Sequence, residues 1–176
     1  MRILSEPHST SSFREGLLIK VVISSIIIIG LGTLSGLLSA GGEGQWYASL
    51  NKPAFTPPNW LFGPAWLVLY ILMGISFARI WQVKTKSRYP IIRKYAYNGI
   101  LIFSVHFLLN LIWTPLFFGL QQPLLALINI IILLGMILFL IRYFKRIDRI
   151  AAFVLIPYVL WVSFATLLNL SIVILN

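Results

Sequence analysis

Four sets of polar and aromatic residues recur at helical spacing inside long apolar stretches of this sequence. His106, Asn110 and Trp113 stand at i, i+4 and i+7, while Tyr158, Trp161, Ala165 and Asn169 succeed one another at steps of three and four. Trp66 and Tyr70 are four apart, and Ala126 and Asn129 three apart. Each set therefore occupies one face of its helix. In hydrocarbon a polar side chain without a partner is costly, so such residues mark either helix contacts or a site. Indoles, a phenol and amides around one space suit a flat, mostly apolar ligand held by ring contacts and a few hydrogen bonds. The same residues also suit a role without any ligand, because Asn side chains bridge membrane helices at roughly 0.6–2 kcal/mol each. His106 alone fits a structural hydrogen-bonder more simply than a metal or haem ligand.

Several chemistries are excluded. There is no cysteine, which removes disulfides, thiolate metal sites and cysteine nucleophiles. The second histidine, His8, and the three glutamates and Asp148 all fall outside the apolar runs. No metal site, carboxylate proton relay or paired-carboxylate acid–base catalysis is expected.

The elements that must position these faces are apolar helices. With 59% hydrophobic and only 10% charged residues in 176, the chain reads as an all-α integral membrane protein. Five runs, about 17–40, 61–81, 96–118, 124–141 and 150–175, approach the ~20 residues that cross a ~30 Å hydrocarbon core. They form one five-helix domain, 17–176, behind a polar tail, 1–16, that is expected to be mobile and cytoplasmic. The first run, at about 24 residues, exceeds the ~7–15 of a signal peptide and reads as a retained span. The net charge of +10 could suggest nucleic acid, but of the fourteen Lys and Arg only Lys52 falls on the far side of the five-helix topology. That is the positive-inside distribution. It predicts a cytoplasmic N-terminus, an outer C-terminus, a lipid bilayer rather than nucleic acid as partner, and placement in the cell membrane.

Between the first two spans lies a stretch of another kind. Residues 41–60 hold Pro53, Pro57 and Pro58 among Trp46, Tyr47, Phe55 and Trp60. Proline fixes its own φ and pushes the preceding residue out of the helical region, so the segment reads as a stiff outer loop, with Pro64 in the first turn of the next helix. Depth, from the ~1.5 Å rise per residue, puts Trp66, Asn110, Trp113 and Asn129 just beneath that loop, with His106 and Trp161 near mid-membrane. The loop becomes a lid. Gly32, Gly36 and Ala40 form a small-residue stripe that fits packing within one bundle or a homodimer seam. Pro157 predicts a kink in the last span. The basic cluster after the second span could meet anionic lipid headgroups, although orientation alone accounts for it.

The run WYASLNKPAFTPPNWLFGPAWLVLYILMG strongly resembles the tryptophan-rich sensory protein / translocator protein family, also called the peripheral-type benzodiazepine receptor family. LLNLIWTPLFFG and PYVLWVSFATLLN agree with it in order and spacing, so the resemblance covers about residues 46–176. It implies a five-helix bundle, commonly dimeric, that needs no cofactor and binds protoporphyrin, haem-like tetrapyrroles and isoquinoline or benzodiazepine-type ligands under the first loop. Carried over by position, Trp66, Asn110, Trp113, Trp161 and Ala165 would contact ligand, with Tyr47, Pro57 and Pro58 in the lid. Together with Tyr70, His106 and Asn129 from the helical faces, these are the candidate ligand-binding residues. Trp66 and Trp161 match the tryptophans implicated in light-dependent porphyrin breakdown in some bacterial members, where they would be catalytic.

Some positions depart from the family pattern. Phe55 stands where many members have Trp, His106 where Gln is common, and Asn129 where Asp is common. No basic residue comes after Tyr158, so the sterol-recognition segment of animal members is not supported. The expected function is binding of porphyrin-like ligands for sensing, stress response or transport. The alternatives are a light-dependent porphyrin-degrading enzyme and a membrane scaffold without ligand.

Overall fold

The computed structural model describes residues 10–176, with backbone alone for 10–15 and 40–43. His8 and most of the polar tail lie outside the described residues. All regular structure among them is helical: α1 (Thr10–Glu43), α2 (Gln45–Ser49), α3 (Asn59–Lys86), α4 (Pro90–Thr114), a π turn (Pro115–Gly119), α5 (Pro123–Lys145), α6 (Arg149–Phe153) and α7 (Ile156–Leu175). Five stretches, Gly16–Ser39, Asn59–Lys86, Pro90–Gly119, Pro123–Lys145 and Arg149–Leu175, are long and apolar enough to cross a membrane. A helix satisfies its own backbone in lipid, which is why apolar runs of this length adopt it.

The loop after the first span is shorter than the sequence suggests. Residues 41–49 are mostly helical, and only 50–58 lack helix. Prolines restrict only themselves and the residue before them, and none precedes Pro53 in this stretch. Because α3 starts at Asn59, Pro64 sits in its second turn rather than its first. The last span is broken where a kink is expected: α6 stops at Phe153, α7 starts at Ile156, and Pro157 is in its first turn, where a missing N–H costs little.

Breaks in a membrane helix leave carbonyl oxygens without their usual donors, and here serines from other helices fill those places. Leu155 N–H turns to Ala152 O (3.2 Å), and Ser76 Oγ donates to the Ala151 carbonyl at 2.7 Å. Pro115 has no N–H for Leu111 O, four residues back, and Ser35 Oγ on α1 donates to that oxygen at 2.7 Å. Each such bond ties two spans together at a point fixed by a proline or a turn.

The two ends of the bundle differ. At the end carrying the basic clusters, the Arg79 guanidinium meets both carboxylate oxygens of Asp148, with Nε 3.0 Å from each and a terminal nitrogen at 2.8 Å. Asp148 also caps α6 by accepting from Ala151 N at 3.0 Å. Met73, Ile80, Phe103, Ile137, Leu140, Phe144 and Leu155 are almost fully buried in one cluster there and through the middle. The other end is hollow. Helices α1 and α3 touch where a Cβ on Gly74 would meet the Ser25 backbone at 2.7–2.8 Å, and again where Gly32 abuts the Tyr70 ring. Further along, nothing lies within 4 Å of a Cβ on Gly36 or Gly63. Gly32 thus packs within its own chain, whereas Gly36 faces open space; the Ala40 side chain lies outside the described residues.

Candidate functional site

The separation of α1 from α3 leaves a cavity of about 540 Å³, within the ~300–1,000 Å³ range of small-molecule sites. Three tryptophans line it: Trp66 from α3, Trp113 from α4 and Trp161 from α7. Tyr70, Phe62 and Phe117 add rings, Ala165 leaves room on α7, and Ile29, Gly32, Thr33, Gly36 and Leu37 supply a wall from α1. Gly63, Leu67 and Leu37, also in the lining, are exposed on the outside of the bundle, so the cavity opens along the α1–α3 seam.

The rings are fixed by one another. Trp66 lies 5.4 Å from Tyr70 and 6.3 Å from Tyr158 between centroids, and Trp161 lies 5.9 Å from both Phe62 and Phe164. Trp113 stacks on Phe117 at 5.1 Å, and its indole N–H donates to Asn169 Oδ1 at 3.2 Å. Asn169 Nδ2 in turn donates to the Pro123 carbonyl at 2.9 Å, which locks α7 to the start of α5. Aromatic pairs at such distances contribute roughly 0.5–1.5 kcal/mol beyond area burial, so the cavity wall is preformed.

The cover is α2 and the segment after it. Tyr47, buried, packs edge-on against Phe117 at 6.2 Å and Phe118 at 5.5 Å, with Lys52 Nζ 4.8 Å above its ring. Burial pushes the Tyr47 phenol pKa above its ordinary value. Beyond it the chain is fastened to the end of α7: Asn51 N–H donates to Asn176 Oδ1 at 2.9 Å, and Asn176 Nδ2 donates to Asn51 O at 3.0 Å. Phe55 reaches Phe164, also on α7, with 6.2 Å between centroids.

Of the residues singled out by sequence, Tyr47, Trp66, Tyr70, Asn110, Trp113, Trp161 and Ala165 come together around this cavity. Pro57 and Pro58 do not line it; they shape the turn into α3, where Leu61 N–H bonds Pro58 O at 3.0 Å. His106 does not reach it either. It is fully buried behind Asn110, with Nδ1 3.2 Å from Phe103 O and Nε2 3.2 Å from Tyr158 Oη. Asn129 is turned to the Leu109 carbonyl, to which Nδ2 donates at 3.0 Å. No group of three or more potential metal ligands occurs among the described residues. Sequence reasoning missed the α1 wall, Phe62 and Phe117. The signal for α1 was the glycine stripe, which admits the Tyr70 ring and borders the cavity as well as allowing helices to pack.

A profile of the TspO/MBR family matches residues 23–175, nearly the whole described bundle and every cavity residue. The chain belongs to the TspO/MBR family. Among its relatives, the tryptophan-rich protein TspO of Archaeoglobus fulgidus is 37% identical over 161 residues, covering 90% of this chain and 98% of the relative. The tryptophan-rich protein TspO of Chlorobaculum tepidum is 34% identical with similar coverage, 89% and 98%. The translocator protein of Bos taurus is 35% identical over 145 residues, 81% of this chain and 82% of that one. Like the family, the chain is a multi-pass integral membrane protein, and its five apolar spans agree.

Proposed function

We propose that this TspO/MBR protein binds porphyrin-like tetrapyrroles and other flat apolar molecules in the cavity under α2 and the segment after it, for sensing, stress response or transport. The observation that carries the proposal is the cavity itself: about 540 Å³, walled by three indoles and a phenol, with the Asn110 amide among its few polar lining groups. Such a wall offers π faces on several sides, which suits a planar conjugated ring better than a flexible lipid chain. The names of the relatives, sensory and translocator proteins, are compatible with a ligand-responsive role. The basic clusters at the opposite end support an orientation in which the covered end faces away from the cytoplasm.

Titrating protoporphyrin into purified protein while monitoring tryptophan quenching tests the proposal. Saturable quenching that weakens at least tenfold in Trp66→Ala with Trp161→Ala is the expected outcome, and unaltered affinity in that double variant refutes the pocket. A second reading, light-dependent porphyrin breakdown, draws on the presence of Trp66 and Trp161 in one cavity, since indoles are readily oxidised beside an excited ring. It predicts loss of the porphyrin spectrum under illumination in air that a detergent blank does not show.

A further inference from the structure

Trp66 and Trp161 both line the cavity, but the rings behind them differ in kind. Trp161 is in contact with Phe62 and Phe164, from neither of which an oxidised indole can draw an electron. Trp66 meets Tyr158 edge-on, with 6.3 Å between centroids and 64° between planes. Tyr158 is fully buried, and its hydroxyl sits between two side-chain nitrogens whose roles are fixed from the far end. The Phe103 carbonyl can only accept, so His106 Nδ1, 3.2 Å away, carries the proton. In a neutral imidazole Nε2 is then bare and accepts from the Tyr158 O–H at 3.2 Å, within reach for proton transfer. The Tyr158 oxygen accepts in turn from Asn110 Nδ2 at 3.0 Å, which leaves its single proton to the imidazole. Tyr70 lies nearer to Trp66, at 5.4 Å, but His106 is the one histidine among the described residues and its Nε2 is committed to Tyr158.

We infer that the Tyr158–His106 pair is an internal reductant for Trp66: when a photo-excited porphyrin ring in the cavity takes an electron from the Trp66 indole, Tyr158 replaces it and passes its phenolic proton to His106 Nε2. A phenol that must keep its proton is harder to oxidise than an indole, whereas one that hands it to a base in the same step is easier. The electron taken by the porphyrin stays on that ring, the indole is whole again, and Tyr158 is left as a neutral phenoxyl beside an imidazolium. Return of the electron from the porphyrin to Tyr158, with the proton coming back from Nε2, restores the starting state. The oxidised centre thus moves from the cavity wall, which oxygen and ligand reach, to a side chain with no exposed surface. The inference rests on the light-dependent reading of the cavity, and it separates two tryptophans that this reading treats alike.

Full-length protein loaded with protoporphyrin in detergent, flashed without oxygen and followed by transient absorption, tests it. In wild type a tryptophan radical should give way to a tyrosyl radical, and more slowly after exchange into D2O. Tyr158→Phe and His106→Phe should lose the tyrosyl signal and prolong the tryptophan radical, whereas Tyr70→Phe should keep the signal. After steady illumination in air, peptide mass spectrometry should show the ratio of oxidised Trp66 to oxidised Trp161 raised severalfold in Tyr158→Phe and His106→Phe. A role in packing alone would leave that ratio unchanged, which overturns the inference, as does a tyrosyl signal that disappears with Tyr70→Phe and survives Tyr158→Phe. Wild type decides by itself if the variants do not fold. A tryptophan radical that decays with no tyrosyl successor, or equally fast in D2O, overturns the inference, while light-driven porphyrin loss in the same protein still supports the reading beneath it. No tryptophan radical and no light-driven porphyrin loss in wild type remove both.

Discussion

Replacing Ser35 with alanine tests whether a proline in one span is compensated by a hydroxyl in another. Ser35 Oγ lies 2.7 Å from Leu111 O, the carbonyl that Pro115 cannot serve. Its removal leaves that oxygen unpaired in an apolar surround. A buried orphan acceptor costs about 1–3 kcal/mol, and interhelical hydrogen bonds in membrane proteins lie nearer 0.6–1.7, so a loss of about 1.5 kcal/mol is expected. The second arm restores the donor from within the helix. Position 115 has helical dihedrals, φ −64 and ψ −32, so Pro115→Ala restores a backbone N–H with which the helix can close its ladder to Leu111 O, four residues back. In that background Ser35→Ala should cost less than about 0.5 kcal/mol, giving a coupling of about 1 kcal/mol. Reversible unfolding in mixed micelles, monitored by circular dichroism across an SDS titration, measures the four proteins of the cycle. Equal cost of Ser35→Ala in both backgrounds would refute the compensation.

Three further perturbations have signs fixed by the structure. Gly32→Ala places a methyl against the Tyr70 ring, whose hydroxyl would lie at 2.6 Å, so the ring should swing into the cavity. Protoporphyrin affinity should fall by about an order of magnitude in quenching titrations, with a stability loss of about 1–2 kcal/mol as the ring shifts. Tyr47 is held neutral by burial, so its contribution to closing the cover is complete below the ordinary tyrosine value of about 10 and is lost as pH rises through its higher folded value. Amide exchange of 45–58 should therefore accelerate in strong alkali relative to α5, and Tyr47→Phe should abolish that pH dependence. Breaking the Arg79–Asp148 pair with Arg79→Gln or Asp148→Asn should each cost about 1–3 kcal/mol, below a fully buried pair because the side chains are 23% and 14% exposed. Thermal unfolding reads that loss, and Asp148→Asn should be the milder if the amide still caps Ala151.

How much of the molecule is legible in its sequence depends on which interactions are local. Apolar run length and helical spacing are local properties, and they place the five spans and the faces bearing Trp66, Asn110, Trp113 and Trp161. The partner of a polar group is not a local property. His106 shares a face with Asn110, yet whether it meets ligand or Tyr158 depends on how α4 and α7 pack, and the structure turns it to Tyr158. Asn129 is likewise drawn to a backbone oxygen of α4. Pro57 and Pro58 announce the end of a loop without saying which residue covers the cavity, and Tyr47, six residues before Pro53, does so from a short helix. The wall from α1 was the least legible part. A glycine that accommodates Tyr70 and one that borders a void look alike in a sequence.

The π turn at Pro115–Gly119 has a consequence for chain length. Leu120 N–H reaches Pro115 O, five residues back and 2.8 Å away, so the segment holds one residue more than an α turn would need. Deleting one residue would let the α ladder continue unbroken, but it would remove or displace Phe117 or Phe118, whose rings pack against Tyr47 and Trp113. Near a helix end, beside a surface turn, a deletion is ordinarily among the mildest changes a gene can carry. In these five codons it would open the roof of the cavity.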